Sequence, residues 1–126
     1  MPSVSRETAV VENHGPVIDR HGDVGDTTIS FVTFNADIDG TPLLKGLPDD
    51  QCTCDHWGYV FRGKVTFRFA DHEESFGEGE AFYVPPGHVP LVAAGTEYLQ
   101  FSPAEKLHEV AEHMTRRMHE LQPISG

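Results

Sequence analysis

Tyr59-Val60-Phe61-Arg62-Gly63-Lys64-Val65-Thr66-Phe67-Arg68-Phe69 reads as a strand, a glycine turn and a second strand. In the second strand Val65, Phe67 and Phe69 share one face, while Thr66 and Arg68 share the other. A period of two means one buried face and one wet face, the pattern of an antiparallel sheet laid over a core. Working outward, similar short apolar runs occupy residues 9–12, 17–20, 28–35, 57–61, 64–70, 74–76, 81–84, 89–93 and 97–102. Turn residues separate them, which predicts many short strands. Arg62-Gly63-Lys64 and the stretch 70–74 predict hairpins on either side of the central strand, and Gly77-Glu78-Gly79-Glu80 predicts another turn. Residues 41–51, with Pro42, Gly46 and Pro48, predict a loop.

The period changes at the C-terminal end. Leu107, Val110, Ala111, Met114, Met118 and Leu121 recur at helical spacing and form one apolar stripe. Ser102, Pro103 and Glu105 supply an N-cap, a first-turn proline and a capping-box acid, and Gln122-Pro123 ends the run. The reading is an amphipathic helix over 103–121, packed on the strands or on a second copy of the chain. The stripe motivates a homodimer.

At 126 residues, of which 38% are hydrophobic, the chain has the size of one domain (1–126) with a core that needs no disulfide staples. Nine basic residues against twenty acidic ones give a net charge of −11, which repels phosphate backbones and anionic lipid. Nucleic acid and membrane surfaces are therefore not expected partners. No apolar run approaches the ~18 residues of a membrane span, and residues 1–7 carry no apolar signal core. The expectation is a cytoplasmic protein whose thiols stay reduced.

The two cysteines stand one residue apart in Cys52-Thr53-Cys54-Asp55-His56, and Pro85-Pro86-Gly87-His88 offers a further imidazole. Two thiolates and two imidazoles suit zinc in a tetrahedral shell, with copper or iron less suited. On a straight strand, at ~3.3 Å per residue, Cys52 and His56 would lie about 13 Å apart, so the chain must bend if both hold one ion. Cys54, His56 and His88 form the expected central set, with Cys52 as the fourth ligand. Asp50 and Asp55 are near enough in sequence to support such a site. Alternation puts Trp57 and Tyr59 on the face opposite His56, as wall residues. His72 reads as a solvated turn residue, and His108, His113 and His119 decorate the helix. His14 and His21 sit beside glycines in turns, with no role legible. There is no G-x-S-x-G elbow, no phosphate-cradling glycine loop and no H-E-x-x-H helix.

The order of these features resembles the cupins. Their first motif runs from a His-x-His pair through a Glu and six intervening residues to a Gly; Gly63 matches that Gly and His56 falls at the Glu position. Their second motif matches as Gly79, five residues, then Pro85-Pro86-Gly87. The resemblance covers roughly residues 49–103. It implies an all-β, cupin-type double-stranded β-helix (a jelly-roll barrel) over about 8–102, with the helix appended and a metal or ligand site in the barrel mouth. The departures are chemical: Cys52-x-Cys54 stands near the missing His-x-His pair, and the second-motif His position is Pro90, with His88 two residues earlier. The usual site of three His and one Glu is absent as such, so the fold carries over and the family's iron or manganese chemistry does not.

Two functional expectations follow. One is a metal-dependent enzyme acting on an organic small molecule in the barrel, with its reaction unspecified. The other is a non-catalytic binding or sensing barrel, with or without a structural metal.

Overall fold

The structure, a computed structural model, describes residues 2–121. Among these residues, two antiparallel sheets face each other. In sequence the strands are β1 (Val10–Asn13), β2 (Val17–Val24), β3 (Thr27–Phe34), β4 (Ile38–Asp39), β5 (His56–Arg62), β6 (Lys64–Arg68), β7 (Glu73–Gly77), β8 (Ala81–Val84), β9 (Val89–Val92) and β10 (Glu97–Pro103). A short helix α1 (Thr41–Leu44) and a 3-10 turn at Pro48–Asp50 precede β5, and α2 (Ala104–Leu121) follows β10. The larger sheet runs β1-β2-β3-β10-β5-β8 and the smaller β4-β9-β6-β7. This is the jelly-roll barrel with a C-terminal helix that the resemblance implies.

Alternation decides which side chains enter the barrel. Along β3, Thr28, Ser30, Val32 and Phe34 point inward, and along β10 Tyr98, Gln100 and Ser102 do so. The two sets face each other across the ladder as Val32–Tyr98, Ser30–Gln100 and Thr28–Ser102. One end of the sheet's inner face is therefore apolar and the other polar. The apolar end joins Val60, Val65, Phe67, Phe82, Val84 and Val92 in the main core. Each fully buried Val or Phe contributes ~1.5–3 kcal/mol, so the burial at this end holds the sheets together. The polar end is where the site lies.

The Arg62-Gly63-Lys64 turn is not a hairpin. β5 pairs with β10 and β8, and β6 pairs with β7 and β9, so Gly63 is the corner where the chain crosses between sheets. Its φ is +83°, and a Cβ there would press on the Cα and Oγ1 of Thr96. The stretch 70–74 does close a hairpin, between β6 and β7. Residues 41–51 are more ordered than a loop, since α1 brings Leu44 into a second core with Cys52, Cys54, Val89 and Val110. Leu107 and Met114 of α2 pack on that cluster, so the helix stripe is largely covered by the chain itself. Ser102 is not its N-cap: it belongs to β10 and its hydroxyl is turned inward. No helix among the described residues is long and apolar enough to cross a membrane.

Candidate metal centre

Three ligand-type atoms converge at the polar end of the barrel. The Cys52 sulfur and one ring nitrogen each from His56 and His88 all lie within 4.8 Å of one another. All three residues are buried. Each arrives by a different route. His56 opens β5 with its side chain inward, and Trp57 and Tyr59 point out of the barrel, as alternation predicts. His88 follows the Pro85-Pro86-Gly87 turn, where Gly87 has a φ of +95°. Cys52 lies on irregular chain ahead of β5 and is tied to that turn by main-chain hydrogen bonds. Its N–H donates to the His88 carbonyl at 2.9 Å, and the Gly87 N–H donates to the Cys52 carbonyl at 2.8 Å. The bend that a shared site requires is thus present.

The hydrogen bonds behind the imidazoles set their tautomers. His88 Nδ1 lies 2.7 Å from the Pro85 carbonyl. A carbonyl only accepts, so Nδ1 carries the proton and Nε2 keeps its lone pair. His56 Nδ1 lies 2.7 Å from the Ser102 hydroxyl. A hydroxyl both donates and accepts; when it accepts, His56 Nδ1 carries the proton and Nε2, 3.6 Å from the Cys52 sulfur, keeps its lone pair as that of His88 does.

Cys54 stands apart from this group. Its sulfur contacts the Asp55 carbonyl at 3.3 Å and Ser102, while Cys52 Sγ lies 3.6 Å from His56 Nε2. Of the four residues singled out in the sequence, Cys52, His56 and His88 come together. Cys54 does not join them. Asp50 accepts from the Gly46 N–H, closing its own turn. Ser102 is the residue that sequence reasoning missed. The inward alternation Tyr98, Gln100, Ser102 on β10 carries that signal, but the adjacent proline drew Ser102 into a helix-cap reading.

The donor set fits a metal ion. A zinc-like ion bound at ~2.3 Å to sulfur and ~2.0–2.1 Å to nitrogen, near the tetrahedral angle, separates its S and N ligands by about 3.6 Å. The Cys52–His56 separation has that value. Burial alone opposes charge at the site. It pushes the Cys52 thiol up to about 11 and Cys54 to about 12. Burial, then the neighbouring His88, pushes His56 down to about 3, and burial lowers His88 as well. Without an ion the group is neutral; binding one displaces the Cys52 proton.

Beside the three residues is a cavity of about 200 Å3. Phe34, Phe67, Val92, Val110 and Met114 give it apolar walls, and Asp19, Tyr98 and Gln100 are its other polar residues of note. Cys52, His56 and His88 themselves line this space, so an ion held by them would border it.

No family model and no curated protein sequence matches the chain. Solved structures do. An RmlC-like cupin from Shewanella frigidimarina NCIMB 400 is 16% identical, with a TM-score of 0.59 over 86% of this chain and 96% of that one. The polyketide cyclase RemF from Streptomyces resistomycificus is 20% identical, with a TM-score of 0.54 over 82% and 80%. Streptomyces PAC13, solved with uridine, is 14% identical, with a TM-score of 0.57 over 82% of each chain. At such identities the likeness is one of fold. The two sheets, the Gly63 corner and the site at the barrel's polar end make this chain a small protein of the cupin fold.

Proposed function

We propose that the chain binds one zinc ion through Cys52, His56 and His88 and presents it to an organic small molecule held in the barrel. The convergence of three ligand atoms, all within 4.8 Å of one another beside a cavity, carries this reading. One sulfur and two nitrogens suit zinc, and a zinc with three protein ligands keeps its fourth position for water or substrate. When bound, such an ion supplies Lewis acidity and a lowered pKa for its water. The protein's own residues do the rest: Pro85 and Ser102 hold the imidazoles, and the apolar walls keep bulk water away. The structural neighbours agree in kind, since one of these barrels is a polyketide cyclase and another was solved with uridine.

Elemental analysis of tag-free protein tests this. About one zinc per chain is expected in wild type, lost in Cys52→Ser and His88→Ala and retained in Cys54→Ser. Wild type that holds almost no metal, with variants no different, would overturn it. Retention in Cys52→Ser with loss in Cys54→Ser would return Cys54 to the ligand set. A zinc-bound protein whose bound water fails to exchange for added anions would favour the holding or sensing role. Free buried thiols fit a reducing, cytoplasmic setting. A homodimer completes the proposal, with its contact on the outer face of the larger sheet.

A further inference from the structure

A carboxylate stands on the barrel's inner face where apolar side chains are the rule. Asp19 in β2 is paired with Val32 of the main core on one side and with Glu12 of β1 on the other. Directly opposed residues share a face of the sheet. The Oδ1 of Asp19 is buried without a hydrogen-bond partner, the only side-chain nitrogen or oxygen in that condition among the described residues. Leaving such a group unsatisfied costs ~1–3 kcal/mol, more if it is charged.

The surrounding groups do not relieve it. Glu12 takes the nearby imidazoles for itself, with His21 Nε2 at 3.0 Å and His14 Nε2 at 3.4 Å. Tyr98 and Gln100 of β10 line the same cavity. Burial holds the Asp19 carboxyl above the usual carboxylate range; His21 and His14 oppose that shift and Glu12 adds to it.

Asp19 also occupies a threshold. It lines the 200 Å3 cavity beside Cys52, His56 and His88, and it lines a larger groove of about 820 Å3 between β1, β2 and α2. Glu12, His14, Gln100, Leu107, Ala111 and Thr115 also line both spaces, so the groove and the inner cavity adjoin at Asp19.

We infer that Asp19 is the recognition residue of the barrel, accepting a hydrogen bond from a hydroxyl on a small, mostly apolar, uncharged molecule that enters through the groove beside α2. The inference rests on the small-molecule reading of the cavity and is independent of which metal, if any, is bound. The cavity is smaller than the ~300–1,000 Å3 of clefts that take drug-sized ligands. In the inner cavity an anion would meet Asp19 and Glu12 with no Lys or Arg among its described lining residues; the one such cation nearby, Arg116, lines the outer groove. A hydroxyl satisfies the carboxyl without bringing a second charge into an apolar space.

Phenol, anisole and benzylammonium are suitable probes, titrated into the protein as purified, with its metal content measured separately. A hydrogen bond to a group of this kind is worth about tenfold in affinity. Phenol should bind at least about tenfold more tightly than anisole. Phenol, and not anisole, should move the carboxyl carbon resonance of Asp19. Asp19→Leu should bring the two affinities together, and Asp19→Asn, which keeps an acceptor, should preserve the preference. Equal binding of phenol and anisole to wild type overturns the inference, as does phenol binding that leaves the Asp19 resonance unmoved. Tighter binding of benzylammonium than phenol overturns it too. The wild-type resonance decides if Asp19→Leu does not fold. Loss of the metal reading would show as empty protein with the phenol preference intact; loss of this one would show as the reverse.

Discussion

His56 and Ser102 meet across neighbouring strands, the Nδ1 of one 2.7 Å from the Oγ of the other. β5 and β10 pair so that Trp57 faces Phe101, which puts the residues one step further along, His56 and Ser102, opposite each other on the inner face. Removing the hydroxyl by Ser102→Ala leaves that ring without its tautomer partner. Metal affinity should fall about 10–100-fold, the usual cost of losing such a partner. Competition against a chromophoric chelator measures it, and unchanged affinity would remove Ser102 from the site.

Acid should weaken the metal-free fold. His56 and His88 have folded pKa values below the unfolded value near 6.5, so the unfolded chain binds more protons as pH falls. Stability is then complete above about 6.5 and declines toward 3, by up to ~1.4 kcal/mol per pH unit for each imidazole that stays neutral in the fold. His72, held up by Asp71, runs the other way, but it is solvent-exposed and screened. Urea midpoints at pH 7 and pH 5, taken with a chelator present, should differ clearly; identical midpoints would contradict the burial of neutral rings.

Metal binding should show the opposite limb of the same chemistry. Cys52 is protonated at neutral pH because burial raises its thiol, so each ion bound displaces one proton. Affinity should rise about tenfold per pH unit between pH 7 and 9. Calorimetry in buffers of different ionisation enthalpy counts the protons. A count of zero would mean that Cys52 is not a ligand.

Gly63→Ala should be costly. The corner needs a φ of +83°, and the new methyl would meet the Thr96 backbone and hydroxyl. Strain of this kind costs on the order of 1–3 kcal/mol, plus the packing clash. Thermal unfolding reads the loss directly. A variant as stable as wild type would show that the corner can move.

The outer face of the larger sheet should carry self-association. Trp57, Tyr59, Tyr83 and Phe101 are exposed there, at 37–48% of their surface, and Trp57 stacks loosely on Tyr83 with ring centroids 5.0 Å apart. Contiguous aromatic surface of this kind marks interaction sites. Light scattering at micromolar concentration should give twice the chain mass, reduced to one by Trp57→Glu with Tyr83→Glu. A monomeric wild type would end the dimer proposal.

Much of the fold was legible because alternation and turn residues are local signals. Every run read as a strand is a strand, whereas β4 is two residues long and leaves almost no pattern. Sheet membership was not legible, so Gly63 read as a hairpin turn rather than a crossing. Within the candidate site, motif spacing pointed to His56, whereas it put Pro90 at the second-motif His position and His88 came in only from two residues earlier. The order of importance between the cysteines was not legible. Residue 54 is nearer His56 in sequence, yet its sulfur turns to the Asp55 carbonyl, while the main-chain link to His88 brings the Cys52 sulfur to His56 Nε2. That link depends on a turn distant in sequence, which no local pattern announces. Asp19 went unread because its isolation only shows once Glu12 has captured both imidazoles.

The main-chain clasp between Cys52 and His88 has a consequence for how such a site changes over time. Position 52 is anchored by its own N–H and carbonyl, and neither bond involves the side chain. A different side chain at that position would be delivered to the same point beside His56 and His88. If the site holds an ion, the barrel would work as a socket with an interchangeable contact: replacing the sulfur with a carboxylate or an imidazole would alter which ion is preferred while the main-chain clasp stays put.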